Sequence, residues 1–391
     1  MIIKKNINIS LLLSLFVISA SAQKSVDTTY FEDSKVAKAI YEYQIVDGET
    51  IRDGFFEYYY PDGKLRQYGF YKMGKLDSTW NIYTRHGIKY QIIQYRDNLR
   101  NGAFGIYYPN GEVKRTGTYK DDKIEGKLMD FYENGQVLEL TEYKNGKLNG
   151  LAEGFSQDGK KTFRFQFTDS IQDGIFEVYH ENGQLREKGL KYDKHFDGEY
   201  LSYYENGKLE QSMTYSNQKL LGPYRTYHDN GRDKIICNYV EGKIEGSWLE
   251  YYNNEQIRES ASYKNGLKEG KGVFYYPDGT VYVKGRFKNN AFHKRWKLYH
   301  GNGKLKQSGK YINGKASGKW KFYFDNGNLW KKGEYKDDSE NGKWYHYYEN
   351  GNLKWFCTYK SGKLVGLSES YNPEGVVTER IFHKEEDKIN E

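Results

Sequence analysis

The sequence predicts an all-β protein: an elongated, twisted antiparallel array of about fourteen β-hairpin repeats, each 24 residues long. Two observations carry this prediction. An aromatic residue stands four positions before each of fourteen evenly spaced places, from Tyr59 to Tyr371. Glycine fills thirteen of those places and Glu255 fills the other: Gly63, Gly87, Gly111, Gly135, Gly159, Gly183, Gly207, Gly231, Gly279, Gly303, Gly327, Gly351 and Gly375. Because the 24-residue spacing is constant along the chain, we expect one quasi-linear array in which each repeat contacts mainly its neighbours.

The N-terminal segment 1–22 has the organisation of a secretory signal peptide. Lys4 and Lys5 precede an apolar run, Leu11–Ile18, and small residues follow it up to Ala22. The run is short for a membrane span. We expect cleavage between Ala22 and Gln23 and export to a periplasm or the exterior, with an uncleaved anchor as the alternative.

Three further segments follow the signal. Residues 23–53 lack the period and contain Asp47-Gly48 in a longer connection, so they are interpreted as a capping half-repeat. Residues 54–383 carry the repeats, and residues 384–391 form a charged tail that we expect to fray.

Charge and cysteine content say little about partners. The formal charge is +7, small against 60 basic and 53 acidic residues, and charge alone names no ligand. The two cysteines, Cys237 and Cys357, stand at the same repeat position five repeats apart. In a linear stack they are too distant for a disulfide, so both are interpreted as small core fillers.

Each repeat is interpreted as strand, tight turn, strand, and its positions are numbered here from the repeat glycine. Asn326-Gly327 predicts a two-residue type I′ turn, which sets −7 opposite +6. Trp320 then faces Gly333, and Gly318 faces Tyr335, so that large rings cover bare backbone. The same register pairs Trp296 with Gly309, Phe56 with Gly69, Phe104 with Gly117, Phe176 with Gly189, Gly126 with Tyr143, Ala152 with Phe165 and Ser368 with Ile381. It leaves Gly272 opposite Gly285 without an explanation.

Alternation assigns the positions to two faces of the sheet. Positions −7, −5, −3, +2, +4 and +6 form the more apolar face, and the other face is largely charged apart from the aromatic residue at −4. About 28 strands are expected, twisted into a superhelical ribbon whose concave side is lined by aromatic side chains.

The repeat motif resembles the MORN-repeat variant of bacterial proteins. It is carried by Tyr107-Tyr108-Pro109-Asn110-Gly111 and Tyr347-Tyr348-Glu349-Asn350-Gly351, with Gly117-Thr118-Tyr119-Lys120 as an example of the segment that follows. The resemblance covers nearly the whole mature chain and implies an elongated antiparallel β array used for binding. Related bacterial proteins are described as antitoxins, and the wider family is linked to membranes and to scaffolding.

No catalytic, cofactor or metal site is predicted. His180, His228 and His300 share position −3, but two repeats separate neighbours by at least roughly 19 Å, too far for a shared metal ion, and they are interpreted as replacements for a half-buried ring. The turns Asp121-Asp122 with Glu125 and Asp337-Asp338 with Glu340 lack the EF-hand pattern and are interpreted as solvated carboxylates.

The aromatic residues are the candidates for binding. Trp80, Trp248, Trp296, Trp320 and Trp344 share position −7 and are interpreted as core. The row at −4 lies on the polar face, where it is either exposed to a partner or packed between hairpins. Its candidate partner-binding members are Tyr59, Tyr107, Tyr179, Tyr203, Tyr227, Tyr251, Tyr275, Tyr299, Tyr323 and Tyr347.

We therefore expect an exported, non-catalytic β-repeat scaffold that needs no cofactor and binds a protein or a cell-envelope component through many contacts. The alternatives are association with a membrane surface through lipid headgroups and inhibition of a toxin partner in the manner of an antitoxin. Export argues against nucleic acid as the ligand.

Overall fold

The computed structural model describes residues 23–384, a range that contains 34 β-strands and no helix. The chain divides into two compact units: Met1–Gly150 with Gln157–Gly159, and Leu151–Ser156 with Lys160–Glu391. The expected cleavage site and most of the charged tail lie outside the described residues, apart from Gln23 and Lys384.

The first unit contains eleven whole strands and the beginning of a twelfth. They are β1 (Ser25–Tyr30), β2 (Ala37–Val46), β3 (Glu49–Tyr59), β4 (Leu65–Lys72), β5 (Lys75–Tyr83), β6 (Lys89–Arg96), β7 (Leu99–Tyr107), β8 (Val113–Lys120), β9 (Lys123–Ile124), β10 (Gly126–Phe131), β11 (Val137–Lys144) and the start of β12 (Lys147–Phe155).

The second unit contains the end of β12 and all the later strands. They are β13 (Lys161–Thr168), β14 (Ile171–Tyr179), β15 (Leu185–Tyr192), β16 (His195–Tyr203), β17 (Leu209–Ser216), β18 (Lys219–Leu220), β19 (Gly222–Tyr227), β20 (Asp233–Val240), β21 (Lys243–Ile244), β22 (Gly246–Tyr251), β23 (Ile257–Lys264), β24 (Leu267–Tyr275), β25 (Val281–Lys288), β26 (Ala291–Tyr299), β27 (Leu305–Ile312), β28 (Lys315–Tyr323), β29 (Leu329–Lys336), β30 (Ser339–Tyr347), β31 (Leu353–Lys360), β32 (Lys363–Leu364), β33 (Gly366–Tyr371) and β34 (Val377–His383).

In each unit the strands form an antiparallel meander in which strands pair with their neighbours along the chain. The two-residue strands β9, β18, β21 and β32 each continue, after one residue, in the strand that follows. When each is counted together with its continuation, the fourteen repeats contribute 28 strands, the number that the sequence predicts. The all-β hairpin array is confirmed.

The turn at the repeat glycine differs from the predicted type I′ turn. The amide of Gly327 donates to the carbonyl of Phe324, and the amide of Phe324 donates to the carbonyl of Asn328. Of the three loop residues only Gly327 has a positive φ, of 95°. The turn is therefore a type I turn followed by a left-handed glycine, since the other common turn types need a positive φ at a central residue.

The predicted register is nevertheless correct, because the hairpin differs from the predicted one in two ways whose effects on strand pairing cancel. The loop has one residue more than predicted, and a bulge leaves Trp330 as an extra residue between the pairs Phe322–Lys331 and Tyr323–Leu329. Beyond the bulge, Trp320 pairs with Gly333 and Gly318 with Tyr335, as predicted. The pairs Trp296–Gly309, Phe56–Gly69, Phe104–Gly117, Phe176–Gly189, Gly126–Tyr143 and Ser368–Ile381 are also formed.

The two-residue type I′ turns lie at the opposite end of the hairpins, between repeats. Asp337 and Asp338 have φ values of 50° and 71°, and Lys336 pairs with Ser339 across them. The expected longer connection at Asp47-Gly48 is one of these turns, since Val46 pairs directly with Glu49. Residues 23–53 therefore add β1, β2 and the beginning of β3 to the first sheet through a tight turn.

The core is a row of rings and small residues at −7 and +6. Four of the five tryptophans predicted to lie there are buried, and Trp248 is half-buried. Trp344 and Cys357 pair with each other and are fully buried. Cys237 is also buried and free, and burial raises the pKa of both thiols to about 11. Both cysteines therefore act as small core residues in the protonated form.

At five of the six core glycines at +6 the covering ring comes from the next repeat rather than from the register partner, and at Gly117 the register partner Phe104 covers the glycine itself. A Cβ atom at Gly309 would lie 2.0 Å from Cδ2 of Trp320, and one at Gly333 would lie 2.1 Å from Cδ2 of Trp344. Trp296 covers Gly285 in the same way, and Phe287, at +8 of the same repeat, covers Gly272, which explains the facing glycines. This packing joins neighbouring repeats.

Candidate binding surface

The tyrosine row comprises the −4 tyrosines, and its ten predicted members are all half-buried. The sequence left open whether they are exposed or packed, and the structure shows an intermediate. Each pairs with the +2 residue of its own repeat, as Tyr323 does with Leu329 and Tyr203 with Leu209. One side of the row is therefore packed while the other remains accessible.

The assignment of +2 to the same face as −7 was wrong. The bulge at +3 shifts the alternation, so that Leu329 lies opposite Tyr323 on the polar side of the sheet. In the first unit a cavity of about 460 Å³ is lined in part by Tyr107, Val113 and Phe131, which places the −4 and +2 residues together. The polar face thus contains an apolar strip along the repeat turns.

Glutamate at −6 holds the tyrosine hydroxyl in some repeats. The hydroxyl of Tyr59 donates to Oε2 of Glu57 at 2.6 Å, and Tyr179 donates to Glu177 at 2.8 Å. Burial, followed by the bond to the carboxylate, raises the pKa of each of these tyrosines to about 12. Both therefore stay protonated at neutral pH.

Position −3 links successive repeats. The hydroxyl of Tyr204 donates to the carbonyl of Tyr227 at 2.7 Å, and Tyr252 donates to the carbonyl of Tyr275 at 2.9 Å. The accepting carbonyl belongs to a −4 residue at a bulge. Where this bond forms, the preceding repeat holds the backbone of the −4 residue in place.

Histidine replaces tyrosine at −3 without loss of this link. Nε2 of His180, His228 and His300 lies 2.8, 3.1 and 3.1 Å from the carbonyls of Tyr203, Tyr251 and Tyr323. Since a carbonyl only accepts, Nε2 carries a proton in each case. The structure agrees with the interpretation of these histidines as ring replacements and adds their function as donors.

Asparagine at −1 makes a second link. Its side-chain oxygen accepts from the amide two residues on, as Asn206 does from Lys208, while its nitrogen donates to the carbonyl of Asp229 in the next repeat. Asn182 and Asn302 bond in the same way. The Asn-Gly pair thus reflects contact between repeats rather than a type I′ turn.

The acidic turns that were weighed as calcium sites bind the protein itself. Asp122 accepts from the backbone and side-chain nitrogens of Arg100, and this pairing lowers the pKa of Asp122. Asp338 accepts from the amide of Ala316. Within residues 23–384 no group of three His, Cys, Asp or Glu side chains is placed to hold a metal ion.

A strongly basic segment was missed by the sequence analysis. Between Lys271 and Lys332 the sequence contains fifteen basic residues and two acidic ones, Asp278 and Asp325. The chain as a whole carries only +7, so the remainder is net negative. A charge count in a sliding window would have found this segment, whereas the total charge conceals it.

A single type of interaction surface is thus repeated along each unit, which defines the chain as a β-repeat protein of the binding class. The MORN repeat variant matches residues 52–73, 100–121, 124–145, 172–194, 196–217, 244–265, 292–313, 316–337 and 340–354. The MORN repeat matches residues 260–281. The chain belongs to the MORN-repeat family, whose repeats are non-catalytic and generally serve as binding or scaffold modules.

No curated protein matches the chain in sequence. Two solved structures, "Crystal Structure of TcdB2-TccC3 without hypervariable C-terminal region" and "Crystal Structure of TcdB2-TccC3", are 11% and 10% identical, with TM-scores of 0.16 and 0.13. Each match covers 88% of this chain but only 23% and 27% of the other chain. In the part of the chain that the structure describes, no helix has the length and apolarity to cross a membrane.

Proposed function

We propose that the protein is exported and acts as a non-catalytic scaffold that binds a protein or a cell-envelope component along the tyrosine row. The observation that carries this proposal is the repetition of one half-buried ring in register on one face, with an aliphatic residue paired to it in nine of the ten predicted members; Tyr227 pairs with Asp233 instead. Equivalent sites on consecutive repeats favour many weak contacts to one extended partner.

The hydrogen bonds support this function by fixing the geometry of the row. In most repeats the −3 or −1 side chain ties the turn to the backbone of the next repeat. A preorganised row loses less conformational freedom on binding than a flexible one. Tyrosine is also suited to interfaces, because it combines a large apolar ring with a hydroxyl that tolerates water.

The first test is to purify the protein from its native host after crosslinking and to identify its partner and its mature N-terminus by mass spectrometry. A chain that starts at Gln23, crosslinked to an envelope or secreted protein, supports the proposal. Recovery of lipid alone favours membrane association instead. An unprocessed cytoplasmic chain with a toxin partner contradicts the proposal.

A second test asks whether the row makes the contacts. Tyr203→Leu, Tyr227→Leu and Tyr251→Leu keep an apolar group against the +2 residue but remove the ring and hydroxyl, so partner recovery should fall at least tenfold. Substitution of Tyr90 and Tyr192 by leucine is the control, since these tyrosines are 49% and 72% exposed and lie outside the row. Equal loss in both variants contradicts the assigned surface.

A further inference from the structure

Four directly opposed pairs of cations occur on the polar face of β24–β29. They are Lys271–Arg286, Lys284–Lys297, Arg295–Lys310 and Lys321–Lys332. We refer to these eight residues as the basic face. Like charges directly opposite each other destabilise a sheet. Their accumulation in three consecutive repeats therefore suggests that they serve a function that offsets this loss of stability.

Elsewhere in the same unit the equivalent positions carry opposite charges. Glu177 faces Lys188, and Glu369 faces Arg380 with an ion pair of 2.8 Å. Among the described residues, by contrast, no carboxylate forms an ion pair with any member of the basic face. Its positive charge is therefore available to a ligand.

Four of the lysines lie in a line across five consecutive strands. Lys284 pairs with Lys297, Lys297 with Ser308, Ser308 with Lys321, and Lys321 with Lys332. At about 4.8 Å between strands, the line is roughly 19 Å long. A linear polymer with regularly spaced anionic groups matches such a line.

The basic face also has a shallow cavity and neighbouring rings. A cavity of about 450 Å³ lies over the facing glycines Gly272 and Gly285, and most of its lining residues are basic. Beside the lysine line, Nζ of Lys284 lies 5.1 Å from the ring centre of Tyr299, and Nζ of Lys332 lies 5.5 Å from that of Tyr347. Lysine ammonium groups thus lie beside tyrosine rings on this surface.

We propose that the basic face binds a linear anionic polysaccharide. Lysines supply charge without the bidentate geometry of arginine, which suits carboxylate or sulfate groups presented along a flexible chain. The tyrosines offer an apolar edge and a hydroxyl to the sugar rings. The proposal rests on the proposed function, since export brings the protein to extracellular polysaccharides.

Nucleic acid and protein fit this surface less well. Stacking of bases needs free ring faces, and a lysine ammonium group lies over one face of Tyr299 and another over one face of Tyr347. A protein partner gains most of its affinity from apolar anchors in pockets. The basic face instead presents rows of positive charge, which is the arrangement expected for binding a polyelectrolyte.

The test is the binding of fluorescent polygalacturonate and heparin oligosaccharides to the purified full chain, with dextran as the neutral comparison. We expect binding to both anionic polymers, steeply weakened by salt, and none to dextran. The variant K284Q/K297Q/K321Q/K332Q should bind at least tenfold more weakly. The control K120Q/K144Q/K234Q/K264Q removes four exposed lysines outside the basic face and should change affinity less than twofold.

Several outcomes overturn the inference. One is binding of the anionic polymers that is no stronger than binding of dextran, and another is an equal loss of affinity in both variants when circular dichroism shows that both are folded. The inference also fails if the protein binds duplex DNA or phosphatidylglycerol vesicles more tightly than the polymers, or if it self-associates in a salt-sensitive way and does not bind them. The proposed function fails separately, if the native chain proves unprocessed and cytoplasmic while the lysine line still binds the polymers.

Discussion

At the scale of the residue, the position within the repeat determines the backbone conformation that a residue adopts. Glu255 stands where thirteen repeats have glycine, and it has adopted the glycine conformation, with φ of 68°. Its amide still donates to the carbonyl of Tyr252, as the turn requires. The turn therefore imposes the backbone angle even on a residue that disfavours it.

Glu255→Gly should stabilise the protein by about 0.5–1 kcal/mol, because removal of left-handed strain exceeds the backbone entropy that glycine loses on folding. Chemical denaturation measures the change. Glu255→Ala is the control, since it removes the ion pair with Arg232 but keeps the strain. A gain of equal size in the alanine variant would show that the strain is not the cause.

His346 makes stability depend on pH. Its ring lies 4.9 Å from that of Trp355, and burial, with Lys331 and Lys354 nearby, lowers its pKa from 6.5 to about 4. The unfolded chain therefore binds a proton more readily than the folded chain, so the contribution of neutral His346 is present above pH 6.5 and is lost as pH falls towards 4.

We expect the melting temperature of the native protein to fall more between pH 6.5 and 4 than that of His346→Phe, which carries the ring found at this position in Phe322. The comparison between the two proteins removes the contribution of carboxylates with lowered pKa, such as Asp53 and Glu369. Parallel pH profiles would contradict the assignment.

At the scale of the element, hairpins are joined by bonds that no single hairpin contains. His228→Phe removes the donor to the carbonyl of Tyr251 and should cost about 1 kcal/mol. His228→Tyr should cost little, since tyrosine donates at this position in other repeats, as in Tyr204. Equal unfolding free energies for the two variants would contradict the bonding function of this row.

The opposed lysines give a second prediction at this scale. Lys321→Gln should raise stability by about 0.2–0.5 kcal/mol at low salt, because it relieves repulsion with Lys332. The gain should vanish near 1 M salt, where the Debye length is about 3 Å. Lys315→Gln is the matched control, as Lys315 pairs with the apolar Ile312. A gain that persists in high salt would exclude charge repulsion as its cause.

At the scale of the whole molecule, contacts remain local along the chain within each unit. Strands pair with sequence neighbours, and the core tryptophans such as Trp320 and Trp344 cover glycines of the preceding repeat. Nearest-neighbour coupling of this type makes stability approximately a sum over repeats.

Deletion of residues 304–327, one full period, should therefore leave a folded β protein. Its free energy of unfolding should depend less steeply on denaturant concentration, in proportion to the surface removed. Deletion of residues 304–315, half a period, should unfold or aggregate the chain, because it joins strands of different register. Circular dichroism and denaturant titration distinguish these outcomes. Similar behaviour of the two deletions would contradict a modular array.

The sequence by itself determined the period, the hairpin array and the cross-strand register. Those features depend on local patterns, such as Trp320 opposite Gly333, in which large and small residues stand at paired positions of one hairpin. It also indicated the buried cysteines and the structural function of the −3 histidines, because each departs from a pattern visible in the other repeats.

Only the tertiary structure decided the turn type, the environment of the tyrosine row and the lines of opposed lysines. Asn206 bonds to the next repeat, and the bulge at Trp330 changes which residues share a face. Lys284 and Lys297 become neighbours only when their strands pair. These features depend on contacts between repeats, which the residues of one hairpin cannot specify.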